Sequence, residues 1–352
     1  MNEARPAALE RAFDGPVGVG VIGLGFMGRT HVQAYAKADA AGWANRLVAV
    51  CDQDPERRAG RAGGAGNLED EAPEQVFDPA GVLATAEAEE LLACDEVELV
   101  SICTHTDTHV DLALRALAAG KHCLVEKPVA LRSEDVARLA DAAAEASTLC
   151  MPAHCMRFWP AWEWLRERVR DGSLGAVRGA TFRRLGSRPD WAAGFYDDPA
   201  RSGGALVDLH IHDADFVRWC FGDPQAVTSA GTVDHLSTLY HFDGGPAHVT
   251  AEGGWDNAPG WGFRMQATVV FEQATADFDI SRAPQLELSG PGGVEAVEVG
   301  DCDGYDGEVR HLLGLIAAGG GDLRVEVDDA RALASLLEAE RRSLASGATE
   351  PV

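Results

Sequence analysis

Lysine is nearly missing from this chain. Lys37, Lys121 and Lys127 are the whole complement, so 27 of the 30 basic residues are arginine. Such a chain has a reason for each lysine it keeps: a partly desolvated ammonium can lose its proton, and a guanidinium cannot. Positive charge is scarce altogether. Thirty basic against 56 acidic residues leave a net charge of −26, which argues against nucleic acid or an anionic membrane surface as partner. Long hydrophobic runs are missing too, and no stretch has the length that crosses a bilayer. Residues 1–16 mix acids and arginines with alanine and form no secretory core. The expectation is a cytoplasmic protein with no membrane association. No two of the eight cysteines make a C-x-x-C pair, and most sit in apolar runs. They read as small buried hydrophobes, not as disulfides or a zinc site.

What is present begins with length. A chain of 352 residues is long for one core, and two domains are the natural expectation. Val17–Ile22 reads as a fully buried strand that runs into Gly23-Leu-Gly25-Phe-Met-Gly28 and then into a helical stretch from Thr30. This is G-x-G-x-x-G between strand and helix. Gly23 permits the tight turn, Gly25 lets a pyrophosphate approach the backbone, and Gly28 allows close helix–strand packing. A second strand, Arg46–Cys51, ends at Asp52, where a carboxylate can accept hydrogen bonds from the adenosine ribose and repel a 2′-phosphate. NAD is favoured over NADP, although Arg57 and Arg58 leave NADP open.

Residues 56–95 carry weaker signals, with one helix near 86–92. Val97–Ile102 is a further strand, followed by Cys103-Thr-His-Thr-Asp-Thr-His109, a helix to about 119, and the strand ending in Val125-Glu126-Lys127-Pro128. Another helix spans 133–146, opened by Ser133 and two acids. Strand–helix alternation means a doubly wound parallel sheet. Ligands of such sheets bind beyond the carboxyl ends of the strands, where Gly23, Thr104 and Lys127 all fall.

The glycine fingerprint, the threonine-rich loop before His109, Ala-Gly-Lys-His at 119–122 and Glu126-Lys127-Pro128 together resemble the Gfo/Idh/MocA oxidoreductases (glucose–fructose oxidoreductase and inositol dehydrogenase-like) over nearly the whole chain. The family pattern has proline and asparagine after the threonine, where this chain has His105 and Thr106. The resemblance implies a nicotinamide-dependent dehydrogenase or reductase of a sugar, polyol, inositol or related hydroxy compound. It implies cofactor contacts from Gly23, Gly25, Phe26, Met27, Gly28, Asp52, Thr104, His109, Glu126 and Lys127, with Lys127 also catalytic.

In the second half, Leu149–Phe158 is the crossover between domains, and by the resemblance His154 and Arg157 are substrate contacts. Pairing of Arg157 with one of the many acids is equally open. The irregular stretch 186–203 carries Trp191 and Tyr196, aromatics that fit the C–H faces of a sugar or, alternatively, a packed surface loop. Ser202–Phe221 reads as one helix after paired glycines. Helical spacing then puts Asp208, His212 and Asp215 on one face, with His210 pointing elsewhere. A carboxylate one turn from an imidazole can fix its tautomer and raise its pKa, as a general base requires. A metal site is the rival, but H-x-H on a helix cannot bring both rings to one ion, so no metal is expected. The family pattern aligns Asp208 and His212 with its aspartate and histidine.

From residue 225 the period changes to two, predicting a mostly antiparallel open sheet. In the family such a sheet pairs subunits, so a homodimer or homotetramer is implied. The expected organisation is a tail at 1–16, a Rossmann domain at 17–148, a substrate and oligomerisation domain of α/β type at 149–327, and a helix at 328–352 packing back on the first domain. Two other functions share these features: a glycosidase that oxidises its sugar transiently with NAD, and a non-catalytic NAD-binding sensor.

Overall fold

The computed structural model describes residues 15–61, 74–189 and 194–352. Two compact units result. The first comprises Met1–Ala130, Glu134–Cys155 and Asp303–Arg331; the second comprises Leu131–Ser133, Met156–Cys302 and Ala332–Val352.

In the first unit, β1 (Val17–Ile22), β2 (Asn45–Cys51), β3 (Leu83–Thr85), β4 (Leu99–Ile102), β5 (His122–Glu126) and β6 (Cys150–Ala153) form one sheet. Its order is β3-β2-β1-β4-β5-β6, and every pairing is parallel. All six residues of β1 are buried, as a strand covered on both faces requires. The connections carry α1 (Phe26–Ala40), α2 (Pro55–Arg58), α3 (Ala88–Leu92), α4 (His109–Ala118) and α5 (Ser133–Glu145). The doubly wound parallel sheet expected of the first half is the observed one.

The second unit holds α6 (Pro160–Asp171), α7 (Pro199–Ser202), α8 (Ala205–Asp208) and α9 (Ile211–Phe221). Its strands are β7 (Val177–Leu185), β8 (Ala226–Thr232), β9 (His235–His241), β10 (His248–Gly254), β11 (Arg264–Phe271), β12 (Thr275–Asp279), β13 (Leu286–Gly290), β14 (Gly293–Ala296) and β15 (Glu350–Pro351). The order is β14-β13-β12-β11-β7-β10-β9-β8-β15. β7 and β10 run parallel, and the other recorded pairs are antiparallel, so the mostly antiparallel sheet is also as expected. Phe182 of β7 and Phe278 of β12 meet Trp162 of α6 and Phe216 of α9, all fully buried. The Trp162 and Phe216 rings stand edge to face at 4.5 Å. That aromatic cluster seats α9 on the sheet.

The last fifty residues differ from expectation. α10 (Gly304–Ala317) belongs to the first unit, where Lys37 of α1 reaches Asp303 at 3.6 Å and Asp306 at 3.3 Å. Glycines at 304, 307 and 314 hide this helix from propensity. It is started instead by Asp303, which accepts the Asp306 N–H at 2.8 Å. α11 (Val327–Ser346) follows, but Ala332–Val352 goes with the second unit, not the first. There β15 pairs with β8. The boundary after the first sheet lies at Cys155 instead of 148, and the expected N-terminal tail falls mainly outside the described residues. Among the described residues no helix is long and apolar enough to cross a membrane.

Candidate functional site

β1 delivers the chain into the glycine loop and α1 starts at Phe26. A Cβ on Gly23 would stand 2.6 Å from the Cys103 carbonyl oxygen, and one on Gly28 would stand 1.8 Å from the Gly23 oxygen. Both contacts are main chain, so neither position accepts a larger residue. A Cβ on Gly25 meets nothing nearer than the Arg57 guanidinium at 3.9 Å. Gly25 is therefore bare on the side where a ligand would approach, while the other two are bare because protein packs there. Phe26 and Met27 are half-buried in the first turn of α1. A helix N-terminus behind a bare glycine turn fits the pyrophosphate of a dinucleotide.

Asp52 stands at the end of β2. Its Oδ2 accepts the Leu24 N–H at 2.6 Å, and its Oδ1 accepts the Asp54 N–H at 2.8 Å. The helix cap of α2 is Asp54, so Asp52 is tied to the glycine loop and does not serve as a cap. The Arg57 guanidinium lies 3.8 Å from Asp52, and Arg58 donates to the Asp52 carbonyl. Replacement of Asp52 by asparagine keeps the acceptor for Leu24 and removes the charge. The expected result is a Kd for NADPH that drops about tenfold relative to NADH, read by quenching of protein fluorescence, since near-surface charge contacts are worth on the order of 4 kcal/mol at most.

Beyond β4 and β5 several residues implied as cofactor contacts have partners within the protein. Thr104 Oγ1 lies 2.7 Å from Thr108 Oγ1. His109 is 1% exposed, and its ring nitrogens face the Pro128 carbonyl at 2.9 Å and the Thr104 carbonyl at 3.0 Å. Burial pushes this imidazole below the ordinary histidine range, and the neutral ring donates its one N–H to one of the two carbonyls at a time, according to its tautomer. His109 lies between the threonine loop and the turn after β5. Glu126 is likewise buried, 4% exposed. Its Oε2 accepts the Lys127 N–H at 3.0 Å, and its Oε1 meets His31 Nε2 at 2.9 Å. It is a support beneath the site, because a carboxylate without solvent access bonds its own protein. Lys127 itself is half-buried at the strand mouth. Lys37 pairs with the α10 acids, and Lys121 donates to the carbonyls of Cys94 and Val97.

In the second unit Gly203 and Gly204 have φ of 78° and 74°, and the Leu206 N–H reaches the Val233 carbonyl at 2.9 Å. A Cβ on Gly204 would sit 2.7 Å from that oxygen, so the close approach needs glycine. The single helix expected after them is two. α8 ends at Asp208, the N–H groups of Leu209 and His210 share the Ala205 carbonyl, and α9 begins at Ile211. Asp208 and His212 therefore flank a break, and the simple i, i+4 relation does not describe them.

The break sorts the acids and imidazoles. Asp208 and His212 are half-buried, whereas His210, Asp213 and Asp215 are at most 1% exposed. Asp215 leaves the face expected for it and pairs with Arg157 through two bonds of 2.7 and 2.9 Å. Arg157, 2% exposed, is thus held in an ion pair with one of the acids, the alternative open to it from the sequence. Asp213 takes Arg184 at 2.9 and 3.1 Å. His154 is also buried, 1% exposed. Tyr196 packs with its ring edge to Trp255 at 5.6 Å over Ala205 and Leu209 of the α8 turn. Trp191 lies outside the described residues.

His210 Nε2 lies 2.9 Å from Glu340, a residue of α11. Burial opposes charge on this imidazole, yet Glu340 more than compensates and holds it above the ordinary range. A raised pKa adds stability in full below the unfolded value of about 6.5, and that stability is lost as pH rises through the folded value. Tm should therefore fall from pH 6 to pH 9 more steeply in the native protein than in Glu340→Gln, measured by calorimetry.

Fold and loop together define a dinucleotide-binding α/β protein with a second, sheet-based domain. Residues 17–154 match the oxidoreductase family with an NAD-binding Rossmann fold, and residues 162–283 match the GFO/IDH/MocA C-terminal domain. The chain belongs to the Gfo/Idh/MocA oxidoreductase family, and its cofactor is NAD. It is 27% identical over 346 residues to inositol 2-dehydrogenase of Rhizobium meliloti, covering 93% of this chain and 96% of that protein. An uncharacterized oxidoreductase of Synechocystis is 37% identical over 144 residues, 40% of this chain; that match spans 39% of the Synechocystis protein. Among solved structures, levoglucosan dehydrogenase in complex with NADH and levoglucosan superposes with a TM-score of 0.81 at 21% identity, over 96% of this chain and 99% of that one.

Proposed function

We propose that this protein is an NAD-dependent dehydrogenase or reductase of a sugar, polyol, inositol or related hydroxy compound, with Lys127 and the Asp208–His212 pair acting on the reacting hydroxyl. The observation that carries the reading is Lys127. In a chain almost without lysine, this one stands half-buried beyond β5 of the sheet whose β1 bears the glycine loop, and a buried carboxylate pins its main chain. Full-length similarity to inositol 2-dehydrogenase and the fold shared with levoglucosan dehydrogenase support the substrate class.

NAD, when bound, supplies the nicotinamide that takes up or gives hydride at the reacting carbon. The chain supplies the proton chemistry. His212 removes the hydroxyl proton, Asp208 orients the imidazole, and the Lys127 ammonium donates to the same oxygen as its negative charge grows. In the reverse direction the same groups protonate the carbonyl oxygen. Homodimerisation or tetramerisation through the second sheet is part of this proposal, and sedimentation measures it.

The deciding experiment offers NAD and NADP with a panel of sugars, inositols and their keto forms and follows nicotinamide absorbance. Turnover of any of them establishes the reading. Cleavage of a glycoside without net absorbance change would establish the transient-oxidation alternative. Tight NADH binding with neither reaction would leave a sensor.

A further inference from the structure

Beneath Lys127 lies a cluster of acids that the proposed chemistry does not use. His31 of α1, Glu126 of β5 and Glu308 of α10 are 0%, 4% and 0% exposed. One ligand-capable atom from each falls within 4.8 Å of the others. His31 Nε2 is 2.9 Å from Glu126 and 3.8 Å from Glu308. Both Glu308 oxygens are without a hydrogen-bond partner among the described residues. Two carboxylates cannot both ionise in a dry space beside one imidazole unless a proton or a cation compensates them.

The hydrogen-bond chain favours the proton. Tyr35 Oη lies 2.8 Å from Ser101 Oγ, which lies 3.2 Å from His31 Nδ1. With a neutral His31 protonated at Nε2, each link has one donor and one acceptor. The Tyr35 hydroxyl donates to Ser101, and Ser101 to His31 Nδ1. His31 Nε2–H donates to Glu126, and Glu126 also accepts the Lys127 N–H. A metal on Nε2 would break the third link. Neighbouring groups agree: burial pushes the Tyr35, Tyr305 and Cys103 acids up, so each is neutral. Burial and the nearby Glu126 push the Glu308 carboxyl well above its usual range. For Glu126, burial acts upward too, but the hydrogen bond from His31 outweighs it, with help from the Lys127 charge, and the carboxyl is held below.

We propose that Glu308 is a positioning residue: it stands in this cluster as an uncharged carboxylic acid, leaving Glu126 as the single anion that His31 holds against the Lys127 main-chain N–H. The acid thereby fixes the direction in which the Lys127 side chain leaves the sheet. A second carboxylate at 308 would compete for the His31 proton and push Glu126 off that N–H. The consequence for rate rests on the catalytic reading of Lys127; the protonation and the hydrogen bond do not.

The test therefore uses readouts that need no substrate. Infrared spectra of the native full-length protein at pH 7 should show the carbonyl stretch of a protonated carboxylic acid that Glu308→Gln lacks. The Lys127 amide should exchange with solvent about tenfold faster in Glu308→Ala, by loss of local protection, and return toward the native rate in Glu308→Gln. Glu308→Met, which keeps the volume, replaces the alanine variant if that one does not fold. Where a substrate is turned over, the alanine variant should lose kcat by about tenfold or more with NADH affinity held, since small misplacements of a reacting group are costly in rate. The proposal is overturned by a native spectrum without the acid band. It is overturned equally by native Lys127 exchange in every variant, or by one equivalent of a divalent metal in the purified protein that Glu308→Gln fails to retain.

Discussion

Alanine at Lys127 should lower kcat about 10²–10⁴-fold, the usual worth of a positioned proton-transfer or hydrogen-bonding group. Alanine at His212 should do the same. Both act on one oxygen in the proposed reaction, so the double variant should lose little more than the worse single one. His212 bears on neither the glycine loop nor Asp52, so fluorescence titration should give an NADH affinity near native for His212→Ala. Steady-state kinetics with whichever sugar or polyol is turned over decides the matter. Losses that multiply in the double variant would mean that the two groups serve separate steps. A His212→Ala enzyme at native kcat would remove the histidine from the chemistry altogether.

The second large effect concerns stability. Arg157 and Asp215 form a two-bond ion pair with both partners essentially without solvent, at 2% and 1% exposure. Asp215→Ala leaves a buried guanidinium without its carboxylate, which costs about 3–5 kcal/mol. Urea unfolding of Asp215→Ala should show that loss. The paired replacement Arg157→Met with Asp215→Leu should recover most of it, because two well-packed apolar side chains can match a buried pair. A loss below about 1 kcal/mol would mean that water or another acid reaches Arg157. The same comparison separates support from substrate recognition: a substrate-binding arginine would raise KM when replaced and leave unfolding nearly unchanged.

These two predictions come from different levels of legibility. Lys127 could be read from one line of sequence, since composition made it rare and Pro128 marked the end of its strand. Asp215 could not. Helical spacing put it beside His212, but it turns to a partner 58 residues earlier in the chain. The spacing argument fails here because the helix is broken after Asp208, and because a buried carboxylate follows the available guanidinium more than its helix face. Glu126 and His109 show the same limit from the other side. Their places in the motif suggested contact with a cofactor, yet each is buried and satisfied by its own domain. No local pattern marks Glu308, which lies on a helix that its glycines conceal.

What the chain determined by itself was everything carried by short-range pattern. Buried apolar strands alternating with helices specify the parallel sheet; glycines at 23 and 28 specify a turn that larger residues would block; alternation after residue 225 specifies the second sheet. Tertiary structure alone decided the partners: Glu126 with His31 across 95 positions, Asp213 with Arg184, His210 with Glu340. The reason is that backbone geometry is set within a few residues. A buried charge, by contrast, is tolerable only where the folded chain brings it a counterpart, and that distance is not written locally.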